Sequence, residues 1–229
     1  MSFRQFPDTA VLKINQFELT HPGQAVLATV TWSIIAGTQI ALLGRSGVGK
    51  STLLRAILTN QDPCIEVLTE RIAYMSQQPA LIPWRTVADN LMLGSKLRGE
   101  RPNSSDTDRA QQLLQRVGLS GLANRRTNTL SGGQKARVAL GRALFENAEL
   151  VLLDEPFASL DRSTRIQMAD LCGDLLAHKT VLLVTHDPRD ASDWLHHTMV
   201  LTERELKGPY DLDEFSNDRA LIEALEGDL

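Results

Sequence analysis

The sequence predicts an α/β fold built on a mainly parallel sheet covered on both faces by helices. Two observations predict it. Three short apolar runs of buried-strand character, Gln39 to Leu43, Leu150 to Leu153 and Thr180 to Thr185, are separated by helical stretches. The first run also feeds directly into a glycine-rich loop that opens a helix. Strands buried on both sides read as continuous hydrophobic runs, and alternation with helices is the mark of a parallel sheet.

In chain order, Val11 to Leu19 alternates as a strand, His21 to Gln24 is a turn, and Ala25 to Ile35 is a second strand broken at Gly37. A helix is predicted over Ser51 to Leu58, and short strands over Ile65 to Leu68 and Arg71 to Met75. A loop with Pro79 and Pro83 leads to helices over Thr86 to Arg98 and Asp106 to Val117. Ser105 and Asp108 have capping-box spacing at the start of the second helix, and Gly99 to Ser105 reads as a loop. Helix over Gly132 to Phe145 and over Ser163 to Ala177 completes the alternation, and Asp211 to Leu229 reads as an acidic tail. The mostly helical stretch from Thr86 to Asn128 looks like an insertion into the α/β core.

Composition sets bounds on function. The chain has 229 residues, 42% hydrophobic and 23% charged, with a net charge of −4. This length supports a sizeable core. The acidic balance argues against a nucleic-acid partner, since a phosphate backbone is gripped by clustered Lys and Arg. The two cysteines, Cys64 and Cys172, have no zinc-ligand spacing and read as free thiols in a reducing compartment. No secretory signal is expected, because the first eight residues hold Arg4 and Asp8 and no apolar run. No run approaches the ~18–20 apolar residues of a membrane span, so action at a membrane would go through a partner.

Gly44-Arg45-Ser46-Gly47-Val48-Gly49-Lys50-Ser51, followed by Thr52, fits the phosphate-binding pattern G-x-x-x-x-G-K-[ST]. The glycines let successive N–H groups turn inward around phosphates, and the following helix adds its dipole. Lys50 is assigned to the β- and γ-phosphates and Ser51 to Mg²⁺. The competing reading, a plain glycine turn, requires a chance match on the order of one in a hundred in a chain of this length.

Asp154 and Glu155 end the strand Leu150 to Leu153, at the edge where open α/β sheets bind ligands. Asp154 is assigned to Mg²⁺ and Glu155 to polarising a water for attack on the γ-phosphate. Pro156 stops the strand. Leu130-Ser131-Gly132-Gly133-Gln134 is a second anion-binding corner, with Ser131 as helix N-cap. One chain needs only one such corner for its own nucleotide, whereas two copies facing each other would each use one.

These residues resemble the nucleotide-binding subunits of ABC transporters, over about residues 10 to 203. The resemblance implies the P-loop ATPase fold of that family: a mainly parallel core sheet, an N-terminal antiparallel β subdomain and a helical insertion at about 86–128, all in one domain over 1–229 with a short tail at about 204–229. Gly44 to Ser51 resembles Walker A, Leu150 to Glu155 Walker B, and Leu130 to Gln134 the signature motif that completes the opposite subunit's site. Gln77 matches the glutamine that senses Mg²⁺ and links to the membrane subunit, Ser159-Leu160-Asp161 the D-loop, and His186 the switch histidine at the γ-phosphate. Plain readings stand beside these: Gln77 as a loop amide, Asp161 as a helix cap, His186 as a strand-end imidazole. The family's adenine-stacking aromatic falls at His21, with Phe17 as an alternative. Lys50 and Gln77 are closer than the family's usual spacing, which implies trimmed antiparallel hairpins.

The resemblance further implies ATP and Mg²⁺ as cofactors, a head-to-tail homodimer formed with ATP, a transmembrane permease, and indirectly a solute-binding protein. It implies a cytoplasmic subunit, peripheral on the inner face of the cell membrane. The segment Gln77 to Leu91 is similar to bacterial importers of nitrate, sulfonate, taurine and thiamine precursors, the hydroxymethylpyrimidine type above all. Leu81, Ile82, Pro83 and Trp84 read either as a permease groove or as packing of the insertion onto the core. No appended regulatory β-domain is expected in the short stretch after the last core strand. A soluble ABC-type ATPase outside transport is the alternative function. A P-loop kinase is opposed by Ser131 to Gln134 and by Glu155.

Overall fold

A computed structural model describes residues 9–20, 26–190, 194–195 and 197–211. The first strands are β1 (Ala10–Thr20), β2 (Val26–Ile35) and β3 (Gln39–Leu43), followed by helix α1 (Lys50–Thr59). Strands β4 (Ile65–Val67) and β5 (Ile72–Met75) precede helices α2 (Val87–Leu91), α3 (Leu93–Leu97) and α4 (Ser104–Arg116). Then come α5 (Gly132–Phe145), β6 (Leu150–Asp154), α6 (Arg162–Leu176), β7 (Thr180–Thr185), β8 (His197–Leu201) and β9 (Leu206–Asp211).

The strands form a three-stranded antiparallel sheet, β2-β1-β4, and a six-stranded sheet, β5-β6-β7-β3-β8-β9. Within the larger sheet every pairing is parallel except β8 with β9. Every residue of β3, β6 and β7 is buried, because both faces are covered. Alternate side chains serve different cores. Ala41, Val151, Leu153, Val181 and Leu183 pack with α2, α4, α5 and α6. Ile40, Leu150, Leu152, Leu182 and Val184 pack with α1 and the antiparallel sheet. Cys64 is half-buried, and Cys172 is buried and held far above the usual thiol range by that burial. Both are free thiols.

Several expectations shift. The single helix expected over Thr86 to Arg98 is two short helices that meet at Met92. The second helix of the insertion starts earlier than expected: Asn103, not Ser105, is its N-cap. The Asn103 side chain accepts from Asp106 N at 3.0 Å, and the Asp106 carboxylate accepts from Asn103 N at 2.9 Å. Both frames offer a capping box, and the upstream one adds helical residues before the chain meets Pro102. The expected tail from 204 is in part sheet, since Leu206–Asp211 pairs with β8. Pro209 is tolerated there because β9 is an edge strand, where a missing N–H costs no ladder bond. The predicted turn at His21 to Gln24 and the tail beyond Asp211 lie outside the described residues.

Candidate active site

The site gathers at the C-terminal ends of β3, β6 and β7, which lie side by side in the sheet. Gly44 leaves β3 so close to its neighbour that a Cβ there would stand 2.6 Å from the Leu201 carbonyl. Gly47 and Gly49 adopt φ of 86° and 105°, a region that costs other residues about 1–2 kcal/mol. These turns bring Gly49 to the N-cap of α1, so the first turn of N–H groups faces the loop.

Lys50 is buried. Its ammonium donates to the carbonyls of Gly44 at 2.6 Å and Arg45 at 3.0 Å. Burial pushes its pKa down, while Glu155 and Asp154 pull it back up. The Ser51 hydroxyl lies 3.5 Å from Asp154 Oδ1. Burial raises the Asp154 pKa, opposed by the Ser51 hydrogen bond and by Lys50. Tyr74 also acts on this carboxylate, lowering its pKa while its own is raised by burial and by Asp154. Sequence reasoning missed Tyr74, because it reaches Asp154 only through the pairing of β5 with β6.

Glu155 sits just past β6 at φ 47°, with its N–H donating to the Val184 carbonyl at 2.8 Å. This turn sends the carboxylate between two partners. Gln77 Nε2 donates to one oxygen at 3.2 Å, and His186 Nδ1 stands 3.2 Å from the other. A cavity of about 210 Å³ is lined by Ser46, Gly47, Gly49 to Thr52, Gln77 and Glu155. A second cavity, about 230 Å³, lies at the opposite strand ends beside Asn147, Val151 and Lys179 and shares none of these groups.

Ser131, Gly132, Gly133 and Gln134 do not line the loop cavity. Ser131 caps α5 in a reciprocal box with Gln134, and Gly133 faces Leu160 and the Ser159 carbonyl. Asp161 is the N-cap of α6: its oxygens accept from Thr164 N at 3.0 Å and from the Ser163 and Thr164 hydroxyls at 2.7 Å. These bonds hold its carboxyl well below the usual range. Phe17 is committed to the core beneath the antiparallel sheet, and His21 lies outside the described residues. Trp84 is 71% exposed, so it does not pack the insertion onto the core, whereas Leu81 does.

A phosphate loop between a central parallel strand and a helix, with a carboxylate pair on the neighbouring strand, defines a P-loop nucleoside triphosphatase. The ABC transporter family profile matches residues 27–158. The chain is 39% identical over 201 residues to an "Uncharacterized ABC transporter ATP-binding protein" of Haemophilus influenzae, covering 85% of this chain and 83% of the relative. It is 39% identical over 199 residues to "Aliphatic sulfonates import ATP-binding protein SsuB 1" of Rhodococcus jostii, covering 81% and 78%. An ATP-binding cassette solved as a dimer in a post-hydrolysis state with ADP and phosphate superposes with a TM-score of 0.77. It is 29% identical, covering 88% of this chain and 98% of that one. The chain therefore belongs to the ABC transporter family, as an ATP-binding, ATP-hydrolysing motor subunit.

Proposed function

We propose that residues 1–229 act as one ATPase domain, with the helical insertion at 86–128, and that this domain drives a bacterial importer of a small solute. The observation that carries the catalytic part is the meeting of Gln77, Glu155 and His186 at the mouth of the phosphate loop. Gly44 to Thr52 wraps the phosphates and Lys50 neutralises them. Ser51, Asp154 and Gln77 form a hard-oxygen set that suits Mg²⁺, which would offset phosphate charge. Glu155 orients the attacking water and takes its proton, and His186 contacts the γ-phosphate.

Ser131, Gly132, Gly133 and Gln134 serve the nucleotide of a second copy, paired head to tail. Their not lining this chain's own cavity supports that reading, as does the dimeric state of the solved cassette. His21 is the candidate for the adenine.

The permease reading rests on how the loop before α2 is pinned. The Ala80 carbonyl accepts from Arg142 at 2.6 Å, and Asn90 bonds both the N–H and the carbonyl of Ile82. Asn128 N donates to the Pro83 carbonyl at 3.2 Å. A rigid loop that presents an exposed Trp84 loses little entropy on docking, and Trp is frequent at interface hot spots. Among the described residues no helix is long and apolar enough to cross a membrane, so membrane work requires such a partner. The subunit then sits on the inner face of the membrane through the permease, with a solute-binding protein across it. The sulfonate-import name of the Rhodococcus relative supports the importer direction.

Glu155→Gln tests the catalytic reading. It should keep ATP affinity and lower steady-state hydrolysis about 100-fold or more, the scale of a lost general base. Near-normal turnover would remove Glu155 from the mechanism. Trp84→Ala should leave the melting curve and ATP binding intact and weaken co-purification of the permease. Unchanged permease capture would end the docking role.

A further inference from the structure

We propose that Arg165, on α6, is a positioning residue that braces the segment carrying His186 and so sets the imidazole for hydrolysis. The inference rests on the reading of His186 as a γ-phosphate contact. The His186 side chain is 49% exposed, and the contact it makes with Glu155 at 3.2 Å does not fix it alone. Its alignment therefore depends on the backbone that carries it.

Both flanking residues are tied down. The Thr185 hydroxyl donates to Asp190 Oδ2 at 2.6 Å and accepts from Asp187 N at 3.1 Å. Asp187 Oδ1 accepts from the N–H of Arg189 at 3.1 Å and from its Nε at 2.8 Å. Asp187 Oδ2 accepts from Arg189 Nη2 at 2.7 Å and from Arg165 Nη1 at 2.6 Å. Thr185, Asp187, Arg189 and Asp190 all belong to the segment they brace. Arg165 reaches in from another element, and its guanidinium spans both acids, with Nε 3.4 Å from Asp190 Oδ1.

That oxygen is buried and has no hydrogen bond among the described residues, so the Arg165 charge is what compensates it. The Arg189 side chain is 73% exposed against 22% for Arg165, and it pairs with Asp187. Arg165 also lies one turn after Asp161, with its N–H donating to the Asp161 carbonyl at 2.8 Å. The bracket therefore joins the switch segment to the start of α6. Just before it, Leu160 and the Ser159 carbonyl lie 3.7 and 4.0 Å from where a Cβ on Gly133 would stand. A shift of that helix start would be felt at His186 through the Arg165 side chain.

The test is Mg²⁺-ATP hydrolysis by the purified full chain, with nucleotide affinity and thermal melts measured alongside. Arg165→Met should lower kcat about tenfold or more while KM for ATP moves less than about twofold, the pattern of a lost transition-state contact. Arg165→Met leaves a buried carboxylate uncompensated, so Arg165→Met with Asp190→Asn is the companion that restores the melt. It too should lose kcat. Arg165→Lys keeps the charge but not the fork, and should fall between. In a His186→Ala background Arg165→Met should cost nothing further, because both act through one imidazole. Wild-type kcat in the folded double variant, or a full additional loss in the His186→Ala background, overturns the bracket. Full activity of His186→Ala alone overturns the reading of His186 and the bracket with it.

Discussion

The phosphate loop has two kinds of glycine, and they make different demands. At Gly44 the constraint is space, since a Cβ would meet the Leu201 carbonyl at 2.6 Å. At Gly47 there is open space but a φ of 86°. Gly44→Ala must displace backbone and should cost about 1–3 kcal/mol in urea unfolding. Gly47→Ala should cost about 1–2 kcal/mol from its left-handed backbone alone. Lys50→Ala, which removes the buried ammonium, should instead act on nucleotide affinity, read by titration with a fluorescent ATP analogue. At this scale the sequence was legible wherever chemistry lies in one continuous stretch. Lys50, Ser51, Asp154 and Glu155 could be expected in one place because their spacing carries the reason, and they meet there. Tyr74, Arg165 and Asp190 could not, because each meets its partner through strand pairing or helix packing that leaves no local pattern.

The elements follow the same division. Strands β3 and β7 lie where their apolar runs predict, and α5 starts at the cap read from Ser131, because those signals are local and strong. The insertion was read less well. Its first helix breaks at Met92, and its α4 cap falls on Asn103, where two overlapping frames offered equal signals. Asn103→Ala should therefore lower stability by about 1 kcal/mol, while Ser105→Ala, inside the first turn, should be near neutral. A larger loss from Ser105→Ala than from Asn103→Ala, read in urea melts, would move the cap back to Ser105. Strand β9 falls in the stretch read as tail, and its Gly208 and Pro209 lie in an edge strand whose outer side needs no ladder partner.

On the scale of the whole molecule, the parallel sheet divides its side chains between two cores and leaves its catalytic edge open at the phosphate loop. Ser131 to Gln134, the corner proposed to serve a second copy's nucleotide, do not line this chain's own cavity. A head-to-tail pair of copies would use both corners, giving two equivalent composite sites. No single-chain signal states the geometry of that pairing. Mixing Lys50→Ala chains with Ser131→Arg chains tests the pairing most directly. Each variant alone should be inactive. In the mixed dimer one site carries both lesions and the other carries neither. ATP hydrolysis should return to roughly a quarter of the wild-type rate under random pairing of equal amounts. Failure to recover any hydrolysis, in dimers shown by two different tags to be mixed, would contradict a site built from two chains.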